Sequence, residues 1–222
     1  MPNLAWSYSA LKTFQSCPKK YYHLKVLKDY RDTPSEQSIY GTEAHKAAEL
    51  YIANGEDIPA RFEFMRKHLD TLKNLEGTKY CELKCGLTKD LEPCDFFAKD
   101  VWLRAVIDLL IINEATSTAR IVDYKFGKSK NADLSQLQLM ALVVFKMFPN
   151  IKKVKAGLLF CPEDKMIPTQ YKVDEASDMW MQWLPEVARL EATYKHNVWN
   201  ATPTGLCKAW CPVLSCPHNG RK

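Results

Sequence analysis

Two carboxylates and a lysine near the middle of the chain could together act on a phosphate group. Asp123 and Lys125 stand two residues apart in the largely apolar stretch 121–126, and Asp108 lies inside the apolar run 105–111. Because strand side chains alternate between two faces, Asp123 and Lys125 are expected on the same face. A carboxylate in an apolar run is costly to bury unless it is paired or binds a cation. The pattern therefore predicts a compact polar site.

A divalent cation would remove the repulsion between these two carboxylates. Mg²⁺ takes oxygen ligands and keeps several waters, which suits a site that handles phosphate. Such an ion could polarise a phosphodiester and help to form hydroxide from water. Lys125 could then stabilise the developing charge or orient the attacking water. The alternative is a solvated pair, Asp123 with Lys125, on an edge strand, with Asp108 at the end of its own strand.

A histidine and two glutamines are further candidates for this site. His45 shares a predicted helix face with Gly41 and Glu49, and neutral imidazole is a good ligand for divalent ions. Gln136 and Gln138 open the helix that follows the lysine strand, and either could hydrogen-bond a phosphate or a catalytic group. The alternatives are a packed or surface histidine and an ordinary polar helix start.

The eight cysteines fall into two groups. Three of them cluster near the end of the chain, at Cys207, Cys211 and Cys216. Cys17 could supply a fourth ligand for a metal ion or an iron–sulfur cluster, and this would tie the irregular tail 201–222 to the first helix. A zinc site that includes His218, or free thiols, would fit the spacing too. The remaining cysteines are interpreted as buried or incidental thiols: Cys81, Cys85, Cys94 and Cys161.

The elements that must position these residues follow from the periodicity of the chain. Ser7 and Ser9 can cap a first helix that Pro18 would break or kink. We predict helices at about 10–26, 39–53, 60–75, 134–148 and 175–194, and strands at about 80–87, 102–112, 121–126, 154–160 and 166–173. This order predicts a mixed sheet flanked by helices.

Length and charge allow several kinds of partner. The 222 residues suit one large domain, and the net charge of +5 permits a nucleic-acid partner without demanding one. No apolar run is long enough to span a bilayer, so no membrane partner is expected. The first residues do not form a secretory signal, so we expect an intracellular, cytoplasmic protein. No phosphate-binding Gly-x₄-Gly-Lys-Ser/Thr loop is present, which argues against an attached helicase motor.

Taken together, these motifs resemble the RecB-like nucleases of the PD-(D/E)XK kind. That group includes the AddB nuclease domain and the CRISPR-associated RecB-like exonucleases. Five motifs occur in the family's order: the segment 7–22, Gly41-x₃-His45, Asp108, Asp123-Tyr124-Lys125 and Gln136-x₃-Met140. Each motif is weak alone, but five in order are specific. Met140 stands where the family usually has Tyr, Ala105 where it often has Gly, and the middle late cysteine is shifted by one residue.

The resemblance implies a restriction-endonuclease-like α/β fold with a helical lobe stapled by a cysteine cluster. A single nuclease domain is expected over 1–222, with a helical lobe at 1–78, a core at 79–200 and a tail at 201–222 that packs on the first helix. The implied ligands of Mg²⁺ or Mn²⁺ are His45, Asp108, Asp123 and the backbone carbonyl of Tyr124. Lys125 and Gln136 complete the implied catalytic set. The implied ligands of a [4Fe–4S] cluster are Cys17, Cys207, Cys211 and Cys216.

The expected activity is Mg²⁺- or Mn²⁺-dependent hydrolysis of DNA, favouring exonuclease action on single strands or ends, with endonuclease action also open. Lys19 and Lys20 could contact phosphates while Tyr21 and Tyr22 stack on unpaired bases, although these rings could equally belong to the core. The alternatives are a non-catalytic DNA-binding module and a scaffold subunit of a DNA-processing or CRISPR adaptation complex. A homo-oligomer, a DNA-processing partner protein and a viral or prokaryotic origin are all compatible with the sequence.

Overall fold

The computed structural model describes residues 4–221, and of Asn131 only the backbone. Its strands are β1 (Thr78–Leu87), β2 (Pro93–Cys94), β3 (Leu103–Asn113), β4 (Thr118–Lys125), β5 (Lys153–Phe160) and β6 (Lys165–Lys172). They form one six-stranded sheet in the order β2-β1-β3-β4-β5-β6. Only β4 and β5 run parallel, and the other neighbours are antiparallel. The predicted mixed sheet flanked by helices is therefore confirmed, with β6 at an edge.

The helices are close to those expected from the sequence. They are α1 (Tyr8–Ser16), α2 (Pro18–Tyr21), α3 (Glu36–Asn54), α4 (Arg66–Lys73), α5 (Ser135–Met147) and α6 (Ala176–His196). A single 3₁₀ segment, Ala60–Met65, precedes α4 where one continuous helix was predicted. The short strand β2 was not predicted, because two residues carry no periodic signal.

The break between the first two helices has a local cause. Ser7 caps α1 by accepting a hydrogen bond from the backbone N–H of Ala10. Pro18 disfavours helical backbone in the residue before it, and Cys17 is accordingly extended, with φ −164° and ψ 108°. Pro18 then occupies the first position of α2, where no N–H is needed. A π-helical turn, Tyr22–Leu27, continues the segment.

The chain divides into two compact units, described separately below. Of the described residues, 4–5 and Glu36–Trp180 make the first unit, which contains the whole sheet. Residues 6–35 and 181–221 make the second unit. The expected divisions near residues 78 and 200 stay predictions. Within residues 4–221, no helix has the length and apolar character that a membrane crossing requires.

In the first unit, α3 and α4 pack on the sheet through a continuous apolar core. On α3 the buried residues recur at helical spacing: Ala44, Ala47, Ala48 and Tyr51. They meet alternate residues of β3 and β4, among them Leu109 and Tyr124. The helix α5 is buried on nearly all sides and packs against β1, β3, β4 and β5. The strands between these layers are fixed in register, which sets the positions of the polar residues they carry.

Candidate metal centre and active site

Three carboxylates lie in one row across three neighbouring strands of the first unit. The antiparallel register of β1 and β3 places Glu82 opposite Asp108. The register of β3 and β4 then places Asp123 beside Asp108 on the other side. Neighbouring strands are about 4.8 Å apart, so the sheet itself brings three acids to one place. The sequence predicted the two aspartates as partners but did not identify Glu82.

A histidine from α3 joins this row. The Nδ1 atom of His45 lies 3.2 Å from Oδ2 of Asp108 and 4.0 Å from Oε1 of Glu82. His45, Glu82 and Asp108 each offer one ligand atom, and these three atoms lie within 4.8 Å of one another. Asp108 is held in place because its Oδ2 accepts a hydrogen bond of 2.8 Å from the backbone N–H of Tyr124. Oxygen and imidazole ligands at this spacing suit a divalent cation.

The charges of the row shift the titration of its members. Burial lowers the pKa of His45, but the hydrogen bond to Asp108 and the charges of Asp108, Glu82 and Asp123 outweigh it and raise the pKa above its ordinary value. Burial and the charge of Asp108 raise the pKa of Glu82. The carboxylates therefore repel one another, and the site as a whole favours an added positive charge.

Glu82 has an unusual backbone conformation for a residue within a strand. Its φ is 49°, in the left-handed region, where a residue with a Cβ carries a strain of roughly 1–2 kcal/mol. Strain of this kind persists where the surrounding structure holds it, often at functional sites. Glu82 lies within the predicted strand at 80–87, but no role was predicted for it. The available signal was an acid on the strand predicted to neighbour that of Asp108.

Asp123 is the most buried carboxylate of the site. It is 2% exposed. Its Oδ2 forms an ion pair with Nζ of Lys125 at 2.5 Å, but the geometry of this contact is not that of a hydrogen bond. Burial and the charge of Asp108 raise its pKa to about 6, against the opposing effects of Lys125 and His45. A buried carboxylate with unsatisfied acceptor capacity is what a bound cation would stabilise. The residues present thus fit a divalent metal ion.

Lys125 connects the acids to the start of α5. Its ammonium group donates a hydrogen bond of 3.2 Å to Oε1 of Gln136, in addition to its contact with Asp123. The structure therefore brings Gln136 to the predicted site. The side chain of Tyr124 is buried, at 3% exposure. A role for its backbone carbonyl as a metal ligand stays a prediction.

Replacing Asp123 with asparagine is expected to stabilise the metal-free protein at neutral and alkaline pH. The folded-state pKa of about 6 lies above the ordinary value of 3.8, so folding favours the protonated acid. The stability that the protonated carboxyl group contributes is fully present below its ordinary pKa. It is lost as the pH rises through about 6. Asparagine cannot ionise, so we expect a gain on the order of 2 kcal/mol, or about 5 °C in melting temperature, at about pH 8.

Thermal unfolding in EDTA at several pH values would measure this difference. The two proteins should converge as the pH falls toward the ordinary pKa of aspartate. Added Mn²⁺ should stabilise the wild type more than the variant, because an ion that binds only the folded state raises its stability. A variant that is less stable than the wild type at every pH in EDTA would show that the ionised Asp123 does not destabilise the folded protein.

The second unit brings the predicted cluster cysteines to one cavity. Its lining includes all four of them: Cys17, Cys207, Cys211 and Cys216. The Sγ atom of Cys17 accepts hydrogen bonds of 3.4 Å from the backbone N–H groups of Lys20 and Thr202. The Sγ atom of Cys207 accepts one of 3.4 Å from Thr204. These hydrogen bonds hold two of the four sulfur atoms in place.

The spread of these sulfurs bears on which group they could hold. Among residues 4–221, the set of three or more possible ligand atoms within 4.8 Å of one another is the one at His45, not one at the cysteines. A single zinc ion with Zn–S bonds of about 2.3 Å would draw its sulfurs to roughly 3.8 Å apart. Whether these cysteines bind zinc or an iron–sulfur cluster stays a prediction.

The tyrosines predicted as base-stacking residues are engaged within the second unit. Tyr21 is 2% exposed and stacks on Trp199 with ring centroids 5.8 Å apart. Tyr22 also stacks on Trp199, at 5.1 Å. In this conformation Tyr21 is not accessible to a base, which corresponds to the alternative of a core role. Lys19 and Lys20 line the cysteine cavity.

The mixed sheet and the group formed by His45, Glu82 and Asp108 define an α/β protein with a candidate site for a divalent metal ion. Comparison with known families agrees with this. The model of the PD-(D/E)XK nuclease superfamily matches residues 5–80 and 55–217, and the chain belongs to that superfamily. Its nucleases use divalent metal ions, which is consistent with the group formed by His45, Glu82 and Asp108.

Solved structures share the fold at low sequence identity. A protein from Eubacterium rectale, provisionally described as an exonuclease, matches with a TM-score of 0.53 and 11% identity, over 91% of this chain and 85% of that one. A structure titled SSO0001 has a TM-score of 0.42 and 12% identity, over 97% of this chain and 87% of that one. The first likeness shows the fold alone, and the second carries no argument. No curated protein matches the sequence.

Proposed function

We propose that the chain is a metal-dependent deoxyribonuclease that hydrolyses DNA phosphodiester bonds, acting as an exonuclease on single strands or DNA ends. The observation that carries the proposal is the row of Glu82, Asp108 and Asp123 across three strands, with His45 and Lys125 beside it. Superfamily membership supports a phosphodiester as the substrate. Within the superfamily, the motifs of the sequence support the RecB-like group.

In this proposal Mg²⁺ or Mn²⁺ is held by His45, Asp108 and Asp123, together with the backbone carbonyl of Tyr124. Glu82 is added to this set because its Oε1 lies 4.0 Å from Nδ1 of His45, in the same group of ligand atoms. When bound, the cation supplies Lewis-acid activation of the phosphodiester and of a water nucleophile. His45 must be neutral at the ligating nitrogen. Because the neighbouring carboxylates raise the pKa of His45, protons compete more strongly with the cation for that nitrogen as the pH falls.

Lys125 and Gln136 act on the substrate side of the site in this proposal. Lys125 carries a fixed positive charge next to Asp123, so it can stabilise the negative charge that develops on the phosphate oxygens. Gln136 accepts a hydrogen bond from Lys125 and is therefore a positioning residue that holds the ammonium group in place. The acid, the lysine and the glutamine lie on β4 and α5, two elements that pack together in the core, which limits their movement.

We also propose that Cys17, Cys207, Cys211 and Cys216 hold a [4Fe–4S] cluster, with zinc as the alternative. Their shared cavity and the hydrogen bonds to two of the sulfurs support this. The cluster would fasten the tail at 201–222 to the first helix in a cluster-stapled lobe. The backbone N–H of Thr202, in this tail, donates a hydrogen bond of 3.4 Å to Sγ of Cys17 and already links these two segments.

A cleavage assay on the full chain, purified without oxygen, tests the proposed function. End-labelled single-stranded and duplex DNA, and matched RNA, are incubated with Mg²⁺, Mn²⁺ or EDTA. We expect cleavage of DNA with either ion and none in EDTA, with a product ladder that starts at a strand end. Binding of DNA without metal-dependent cleavage on any substrate would replace this proposal with a non-catalytic binding or scaffold role.

A further inference from the structure

A patch of aromatic and basic residues, two of them exposed and two half-buried, lies on the first unit, and the proposed chemistry does not use it. It consists of Phe96, Phe97, Lys84 and Arg104, and is called the aromatic–basic patch below. The ring of Phe97 is 72% exposed and meets Phe96 edge-on, with centroids 5.0 Å apart. Nζ of Lys84 lies 5.8 Å from the Phe97 ring centroid, and Cζ of Arg104 lies 5.5 Å from that of Phe96.

The patch is held in a defined geometry. Arg104 donates a hydrogen bond of 2.8 Å from Nε to the backbone carbonyl of Phe96. The carboxylate of Asp95 accepts a bond of 2.7 Å from the backbone N–H of Phe97. The loop that presents the two rings is therefore fixed to β3 and within itself. An exposed large aromatic ring on an ordered loop is more informative than a scattered surface residue.

The patch lies on the same face of the sheet as the acidic row. Residues i, i+2 and i+4 of a strand share one face, so Arg104 projects from the same face of β3 as Asp108. Four residues of strand separate them, which is about 13 Å. The register of β1 and β3 places Lys84 opposite Val106, two residues along each strand from the pair formed by Glu82 and Asp108. A nucleic-acid strand of a few nucleotides spans this separation.

The charges of the patch fit a polyanion. Within residues 4–221, neither Lys84 nor Arg104 forms an ion pair with a carboxylate. Lys84 contacts the ring of Phe97, and Arg104 contacts both rings and the backbone carbonyl of Phe96. Phosphate groups are matched by unpaired Lys and Arg side chains, and the π-face of a base is matched by an exposed aromatic ring. A paired base presents only its edges to a side chain, so stacking selects an unpaired strand.

We infer that the aromatic–basic patch binds an unpaired nucleic-acid strand beside the metal centre, with a base stacked on Phe97 and phosphates held by Lys84 and Arg104. This inference rests on the proposed nuclease function and deepens it, because it assigns single-stranded DNA as the form of substrate that enters the site along β1 and β3. The strand passes from the patch toward the row of carboxylates.

Fluorescence anisotropy with the full chain tests the inference by binding, independently of cleavage. The probes are a labelled oligothymidylate and a labelled blunt duplex, each in EDTA and again with Ca²⁺. Phe97→Leu should weaken binding of the single strand about tenfold, in line with the loss of one base–aromatic stack, and leave duplex binding unchanged. Phe97→Tyr keeps an aromatic ring and should bind like the wild type. Phe64→Leu, at a phenylalanine that is 41% exposed on another segment, is the matched control.

The two basic residues are tested in the same experiment by the salt dependence of the binding affinity. Lys84→Ala or Arg104→Ala should reduce the slope of log affinity against log salt by about one for the single strand. The inference fails if the wild type does not bind the oligothymidylate under either condition, or if Phe97→Leu binds it like the wild type or weakens the duplex equally. Cleavage by Asp123→Ala is followed in parallel. If that variant cuts normally, the proposed function fails, while the anisotropy still decides the role of the patch.

Discussion

Replacing Asp123 with alanine is expected to lower the rate of DNA cleavage by about 10³-fold or more without unfolding the protein. The variant removes one ligand of the proposed cation and the partner of Lys125, which lies 2.5 Å away. Loss of about 4 kcal/mol of transition-state stabilisation corresponds to this factor. The fold should tolerate the change, because the ionised acid is destabilising in the metal-free protein, as its raised pKa indicates.

Single-turnover cleavage of end-labelled single-stranded DNA, across a range of Mg²⁺ and Mn²⁺ concentrations, measures this effect. Asp174→Ala is a suitable control, because Asp174 is an exposed acid in the 3₁₀ turn Val173–Glu175 of the same unit. It should cleave like the wild type. If Asp123→Ala retained activity within a few fold at saturating metal, the site would have to be placed elsewhere.

Replacing Cys216 with serine is expected to remove the bound iron and to destabilise the second unit. Cys216 is 7% exposed and lines the cavity that also contains Cys17. A tail with few secondary-structure elements has little core of its own, so a bound cluster would supply much of its stability. Loss of a few kcal/mol corresponds to a fall of about 10 °C or more in the unfolding of a small unit.

Iron and acid-labile sulfide per chain, visible absorption and thermal unfolding measure this prediction on anaerobically purified protein. Cys94→Ser is the matched control, because Cys94 is a free, partly exposed thiol on β2 in the other unit. It should keep the full iron content. Zinc in place of iron in the wild type would support the alternative ligand. A Cys216→Ser protein that keeps its iron and its stability would remove this cysteine from the proposed cluster.

Much of the fold follows from local patterns in the sequence. The apolar runs around Asp108 and Asp123 predicted strands, and Pro18 predicted a break in the first helix. Both predictions depend only on residues that are neighbours in the sequence. The edge position of β6 also follows from its alternation of exposed and half-buried residues. The two-residue strand β2 leaves no such pattern, since it forms only through its pairing with Gly86 and Leu87.

The candidate site was less predictable where it depends on contacts between strands. Register is a tertiary property, so the position of Glu82 opposite Asp108 could not be read from β1 alone. The left-handed backbone at Glu82 also interrupts the simple alternation of that strand. The same limit applied to Tyr21, whose burial against Trp199 depends on residues far away in the chain. The exposure of Phe97 was not predicted, because two adjacent phenylalanines in a loop can be either buried or exposed.

The row of carboxylates has a consequence for how such a protein can diversify. The spacing of the three acids is set by the hydrogen bonds between adjacent strands. It does not depend on the loops that connect those strands. The connection from β1 to β3 contains β2 and carries Phe96 and Phe97. We expect insertions or exchanges in this connection to change which nucleic acids are held while the distances between the metal ligands persist. Substrate preference could then change in evolution independently of the metal-dependent chemistry, because different parts of the chain determine them.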